Sequence, residues 1–457
     1  MGFEGEYASY LPLKRIRESA KVKALEERFR IRQKEINTEN NIENNIICKS
    51  DLVESMQQPD LVLAIDGSCL PAKAENGFPG AEFGYVTIAS VLIDLKLIAE
   101  LEQEKFIDPK KFRDTEKAST IESIFPGCNV VLDTEKDAKS SMRRALFEEL
   151  KSNVIFSDCE TLLDTYEYLF KKKQELFGNE HKPQSPIESV DKEMTYGYGE
   201  YVCPHSGEPL FSTDALRLHE LMHEQGGGNG EMFGQIMSTL EKLWLVHILR
   251  SFEQKDWLST LKRVAFIMDG ALAVFSTSSW LAKVIDYEIK RINEKQKKIN
   301  EQDLLIIGIE KSGTFVNHFI DIDTARDGST DIFPKQSALL LDDGYIKRNI
   351  VFSESTKPYG QDTYFGRKLF YKTASGQKLV PVVACYNDRQ QNLKTAQPDQ
   401  FSRLADVMNL LDRLVSSRYP NAISPLVSAH EESAIPLHLG KRFSEDIARE
   451  IREKSNL

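Results

Sequence analysis

The chain has 457 residues, 41% hydrophobic and 28% charged, with 70 acidic against 59 basic side chains and a formal net charge of -11. That composition belongs to a globular chain with a sizeable core, and it excludes a general polyanion binder, whose affinity rests on clustered lysine and arginine. Any dealing with nucleic acid then calls for bridging metal ions, a local basic groove or a partner that delivers the strand.

Residues 12–42 are highly charged and set Leu13, Ile16, Val22, Leu25, Phe29 and Ile36 near one face of a helix, which predicts an amphipathic helix docked on the body or contacting a partner. Leu61–Ile65 predicts a buried strand ending at Asp66-Gly67-Ser68, and 83–95 a second strand. The stretch 96–200 alternates polar helical pieces with loops and is expected to be an insertion or peripheral layer. Helices are predicted over 214–224 and 231–254, parted by Gly226-Gly227-Gly228-Asn229-Gly230. Val264–Met268 reads as a buried strand ending at Asp269-Gly270, 278–299 as a long helix, and Leu304–Ile309 as a strand ending at Glu310-Lys311-Ser312-Gly313. Strand-like pieces at 364–373 and 379–386 and a helix at 400–417 lead to a segment containing Ala429-His430. Buried strands alternating with helices predict an α/β architecture, a mixed sheet covered by helices, without internal repeats. The expected organisation is an N-terminal helical segment over 1–59, one domain over 60–440 and a tail over 441–457.

No apolar run approaches the length of a membrane span. Met1–Leu13 lacks the apolar core of a secretory signal, and Cys48, Cys69, Cys128, Cys159, Cys203 and Cys385 form no paired framework. The expectation is a soluble protein of the reducing cytoplasm.

Two predicted strands end alike, in Ile65-Asp66-Gly67 and Met268-Asp269-Gly270. One Asp-Gly pair is an ordinary turn signal. Two of them, each after a buried strand, point two carboxylates out at a sheet edge, where they could share Mg²⁺ or Mn²⁺; hard cations take oxygen ligands, and phosphoryl chemistry often uses two ions about 4 Å apart. A third carboxylate is expected from Glu241, which shares a helix face with Trp244, Leu245, Ile248 and Phe252, because a carboxylate on an apolar face is costly unless it is paired or binds metal. Glu253 is a weaker competitor near the helix end.

Asp66-Gly67-Ser68, Leu240-Glu241, Phe266-Ile267-Met268-Asp269-Gly270, Gly308-Ile309-Glu310-Lys311-Ser312-Gly313, Tyr364-Phe365-Gly366-Arg367 and Ala429-His430 occur in the order seen in the NurA nucleases, and the chain resembles that family from about residue 60 to 440. The resemblance implies a ribonuclease H-like fold, Mn²⁺-dependent endo- and exonuclease activity on DNA, a dimer, and a HerA-type hexameric ATPase as partner. By position it implies metal and catalytic roles for Asp66, Glu241, Asp269 and His430. Tyr419 matches a tyrosine preceding that histidine, with a slightly longer spacer. Lys311 is a candidate for contacting the substrate backbone or stabilising the leaving oxygen.

A rival lies in His219-Glu220-Leu221-Met222-His223, the H-E-x-x-H string that on a helix sets two zinc ligands on one face with a glutamate base. Asn229 stands where a metzincin needs a further ligand, and asparagine is a poor one. A structural zinc site from Cys203, His205, His219 and His223 is a further option, and a non-catalytic adaptor of a motor is a third function class. Gly197-Tyr198-Gly199 lacks the context of a dinucleotide site, and no phosphate-binding loop of the Walker type is present, so ATP hydrolysis would have to come from a partner.

Overall fold

A computed structural model describes residues 10–29, 46–55, 57–73, 81–102, 116–178, 197–226, 228–324, 331–415 and 422–434. The chain divides into two units, Met1–Asn44 and Asn45–Leu457.

In the first unit, helices α1 (Leu11–Glu18) and α2 (Ala20–Glu26) break the described part of the helix expected over 12–42, whose remainder from residue 30 on, Ile36 included, lies outside the described residues. Ser19 separates them: its backbone is extended and its side chain accepts from Val22 N, so it stops one helix and caps the next. Leu13, Ile16 and Leu25 are exposed.

The second unit runs β1 (Ile46–Cys48), β2 (Leu61–Lys73), β3 (Glu82–Asp94), α3 (Leu95–Glu102), β4 (Glu116–Pro126), α4 (Ala138–Ser152), α5 (Leu162–Phe177), β5 (Glu200–Val202), β6 (Pro209–Phe211), α6 (Gly230–Gln254), β7 (Val264–Asp269), α7 (Leu281–Asn300), β8 (Leu305–Glu310), α8 (Thr314–Ile322), β9 (Ser337–Leu340), α9 (Asp343–Ile346), β10 (Gly366–Lys372), β11 (Lys378–Ala384), α10 (Leu404–Leu414) and α11 (Ser424–Ser433). Nine strands form one mixed sheet in the order β1-β9-β10-β11-β8-β7-β2-β3-β4, and β5 and β6 form a separate hairpin. β2, β7 and β8 are mutually parallel, and the other neighbours pair antiparallel.

Helices cover both faces of the sheet. Leu63, Ile65, Phe266, Met268 and Ile306 pack on one side with residues of α4, α5, α6 and α7. Val62, Ala64, Ala265, Ile267 and Ile307 pack on the other with α10 and α11. Burial on both faces is why these central strands read as unbroken apolar runs rather than as alternation. Helix α6 is buried along Thr239–Leu249 on every side. Its N-terminus is anchored by the Glu82 carboxylate, which accepts from Asn229 N and Nδ2 at 2.7 and 2.9 Å and lies at the favourable end of the helix dipole.

The second unit departs further from the sequence-based expectations, beginning with Ile46–Cys48, a sheet strand inside the segment 1–59 that was expected to be helical. β2 does not end at Asp66-Gly67-Ser68 but continues to Lys73, because β3 pairs with it along its whole length, from Leu61↔Asp94 to Lys73↔Glu82. The stretch 96–200 is peripheral in position yet joined to the body. β4 forms the sheet edge against β3, and Phe125, Leu146 and Leu169 lie in the main core. The helix expected over 214–224 is instead two 3-10 turns, Ser212–Leu216 and Leu218–Leu221, broken at Arg217, whose φ is +57°. Among the described residues, no helix is long and apolar enough to cross a membrane.

Candidate active site

The register of β2 and β7 builds the centre of the site. Ile65 pairs with Met268, so the next residues, Asp66 and Asp269, are neighbours on parallel strands about 4.8 Å apart. They fall on the sheet face of Ala64 and Ile267, under α10 and α11. At Asp269 the expectation of a strand end holds: β7 stops, Gly270 adopts φ +74°, and its N–H donates to Ile309 O at 2.8 Å. Asp66 is different. It sits inside a continuous strand at the level where β7 turns away, and it is buried.

Gly67 therefore serves close approach rather than a turn. It faces the opposite side from Asp66, toward α6, and a Cβ there would lie 2.7 Å from Glu241 Oε1 and 2.8 Å from Met237 Cγ. The missing side chain lets Glu241 reach up against β2 and take a hydrogen bond from the Gly67 backbone. The third carboxylate thus arrives from the other face of the sheet.

His430 comes from α11, whose C-terminal end is tied to β3 by Thr87 Oγ1 donating to Ser433 O. Its Nδ1 lies 3.0 Å from Asp66 Oδ2, with the imidazole 58% exposed and the carboxylate 2% exposed. The other Asp66 oxygen accepts from Gly67 N at 2.9 Å. Lys311, just past β8, places Nζ 3.0 Å from Asp269 Oδ1, both side chains about a third exposed. Lys242 Nζ lies 2.7 Å from Glu241 Oε2, and both side chains are buried.

Burial pushes the Asp66 carboxyl up to about 8, with the negative charges of Asp269 and Glu241 adding to the rise and Lys311 opposing it. Burial also raises Glu241, against the pull of Lys242. Three carboxylates crowded around the end of β7 cannot all ionise cheaply without added positive charge. Among the described residues, no three His, Cys, Asp or Glu side chains already stand at ligand spacing around one point. Here Lys242, Lys311 and His430 each occupy a carboxylate oxygen. The donor chemistry nevertheless fits a hard divalent cation, which would take over oxygens from those partners.

The structure therefore brings together Asp66, Glu241, Asp269, Lys311 and His430, while Tyr419 lies outside the described residues. Glu253 is elsewhere: hydrogen bonds from Arg291, with Lys295 adding to the effect, hold its carboxyl down at about 2. Sequence reasoning missed Lys242, whose burial beside Glu241 becomes visible only once α6 is seen to be enclosed on every side. It also gave Arg367 no role. Arg367 is 2% exposed and donates to the carbonyls of Gln390, Asn392 and Thr395, which fixes the segment after β11.

The H-E-x-x-H string does not assemble. On a 3-10 turn, positions i and i+4 do not share a face. His219 is buried, Glu220 pairs with Arg217 at 2.6 Å, and His223 is exposed. Asn229, where a further ligand was sought, accepts from His223 N and is spent on Glu82. Cys203 is buried in the β5–β6 hairpin while His205 is exposed at its tip, so these do not join the histidines in a zinc site.

Two solved structures are similar to this chain. One is the crystal structure of the NurA nuclease from Sulfolobus solfataricus, at 11% identity and TM-score 0.36, covering 98% of each chain. The other is a crystal structure of NurA, at 9% identity and TM-score 0.28, covering 94% of this chain and 95% of that one. None of the curated proteins matches. The family model described as the NurA domain matches residues 60–435, the bulk of the chain and every site residue named above, and the chain belongs to the NurA family.

Proposed function

We propose that this protein is a DNA nuclease that holds divalent metal ions, Mn²⁺ or Mg²⁺, on Asp66, Glu241, Asp269 and His430. The observation that supports this reading is the meeting of three carboxylates from three distant segments at the end of β7 in the middle of the sheet, where burial and crowding push Asp66 up to about 8. Bound cations would neutralise charge on the scissile phosphate and lower the pKa of water.

The residues divide the work by exposure. Buried Asp66 and Glu241 form the floor. Asp269, Lys311 and His430 face the solvent side, from which a DNA backbone would approach. Lys311 can swing its ammonium from Asp269 to a phosphate or leaving oxygen, which releases an Asp269 lone pair at the same time. His430, tied to Asp66 through Nδ1, has Nε2 left to hold a metal or orient water. Tyr419 keeps the role that the family resemblance implies.

With a net charge of -11 the chain opposes encounter with a polyanion, and its sequence carries no Walker-type loop. We therefore assign it a HerA-like hexameric ATPase as the partner that feeds DNA, a homodimeric state across the exit pore, and a cytoplasmic role in end processing or defence against foreign DNA. The segment 12–42 is the proposed contact.

Labelled linear and circular DNA, incubated with wild type and Asp66→Ala in Mn²⁺, Mg²⁺ or EDTA, tests the reading. Cleavage by wild type alone, and only with metal, is expected. Undiminished cleavage in EDTA, or by Asp66→Ala, would overturn it.

A further inference from the structure

A cavity of about 310 Å³ opens away from the carboxylates, between the start of α7 and the first residues of β10. Its walls include Tyr359, Tyr364, Lys283, Asp286, Arg367 and Gln391 and none of the five site residues. The volume falls at the low end of small-ligand pockets, roughly 300–1,000 Å³.

One wall is aromatic. The rings of Tyr359 and Tyr364 lie 5.7 Å apart, Phe275 meets Tyr364 edge-on at 5.6 Å, and Lys368 Nζ stands 4.7 Å from the Tyr364 ring. Asp286 Oδ2 accepts from Lys290 and Gln391, both at 2.8 Å, but its buried Oδ1 has no partner. The Arg367 terminal nitrogens are taken by backbone carbonyls, while its buried Nε has none. Both unpartnered atoms are sealed behind the wall and do not face the cavity. At the rim, Lys283 and Lys357 share the single carboxylate of Asp362, each at 3.1 Å, which leaves an excess positive charge.

We propose that this cavity takes one nucleotide, its base against Tyr359 and Tyr364 and its phosphate toward Lys283. Aromatic stacking with a cationic rim is how single strands are held. The proposal rests on the nuclease reading for its context, because the cavity wall is stitched to the loop that leaves Asp269. Val274 N donates to Thr363 O at 2.9 Å, and Phe365 N to Leu272 O at 3.0 Å. Lys368 also pairs with Glu310, next to Lys311. A strand end seated here would lie one loop from the carboxylates.

The test is equilibrium binding in EDTA, where no metal-dependent cleavage occurs, so that failure of the nuclease reading and failure of this one are distinguishable. The probes are dCMP, dAMP, dTMP, inorganic phosphate and a five-nucleotide single strand. Expected is saturable binding of dCMP, dAMP and dTMP alike, equal affinity for wild type and Asp66→Ala, and a loss of about tenfold or more in Tyr364→Ala and Lys283→Glu. Tyr364 also packs on Phe275, so the exposed Lys283 carries the test should Tyr364→Ala fail to fold. Competition by the five-nucleotide strand assigns the ligand to a DNA end, and lack of competition assigns it to a free nucleotide. No saturable binding, phosphate binding as tightly as dCMP, or affinity lost in Asp66→Ala but kept in Lys283→Glu would overturn the proposal.

Discussion

Two constellations of this chain invert the relation between sequence spacing and spatial order. His219, Glu220 and His223 are contiguous and match a metal motif letter by letter, yet they diverge: one is buried, one is paired with Arg217, one faces solvent. Asp66, Glu241, Asp269 and His430 span more than three hundred positions and converge, because parallel register, a side-chain-free Gly67 and the seat of α11 on the sheet bring them to the end of β7. Spacing means chemistry only through the secondary structure that carries it. The α-helix that would have aligned the first set is absent, and the sheet that aligns the second is the core of the domain.

The largest expected effect breaks the convergent set. Asp66→Ala or Asp269→Ala should bring DNA cleavage to background with circular dichroism and thermal midpoint preserved, since the strands are held by Leu61–Ile65 and Val264–Met268 and not by the carboxylates. Substantial cleavage by both variants would dismiss the site.

Gly67→Ala should come next. The new methyl would sit 2.7 Å from Glu241 Oε1 and 3.0 Å from Ile88 Cδ1, so the glutamate must withdraw. Overpacking of this kind costs about 1–3 kcal/mol, read by urea titration, and cleavage should fall along with it. A fully active, fully stable Gly67→Ala would mean that Glu241 does not need to pass that strand.

The divergent set predicts acid sensitivity instead. Burial lowers His219 and His247 from 6.5 to about 4. At these two positions the unfolded chain binds protons between those values that the folded chain refuses, so their contribution is full above pH 6.5 and is lost as pH drops toward 4, while the raised Asp66 and Glu241 carboxyls act in the opposite sense. The urea midpoint of His219→Gln should therefore gain on that of wild type as pH falls through that window. A difference between the two that stays constant from pH 7 to 4 would contradict a buried neutral His219. The smallest effect belongs to Glu220→Gln, which removes a partly exposed ion pair with Arg217 worth about 0–1 kcal/mol and should leave cleavage unchanged in a nuclease assay. Loss of cleavage there would join the two constellations after all.

Much of the framework was legible because apolar runs bounded by glycine define buried strands. Val264–Met268 and Leu304–Ile309 were placed to within a residue of β7 and β8, and 231–254 to within one of α6. The extension of β2 past Asp66 was not legible, since Asp66-Gly67 reads as a turn and only pairing with β3 overrides it. Nor were the 3-10 turns at Ser212–Leu221, whose break at Arg217 is a backbone conformation that the residue type does not announce. Within the site, Asp66 and Asp269 stood out as carboxylates after apolar runs. Lys242 did not, because a lysine beside a glutamate on a helix usually lies on a solvated face, and only the all-round burial of α6 gives it meaning.

The most direct measurement is a Mn²⁺ titration of the full chain, followed by calorimetry and by electron paramagnetic resonance of free Mn²⁺, on wild type, Asp66→Ala, Glu241→Gln and Glu220→Gln. Carboxylates reaching the end of β7 from both faces of the sheet predict saturable binding by wild type and Glu220→Gln, and affinity lost in both Asp66→Ala and Glu241→Gln. Binding that survives the loss of Asp66 and of Glu241, or that vanishes with Glu220→Gln, would contradict the account.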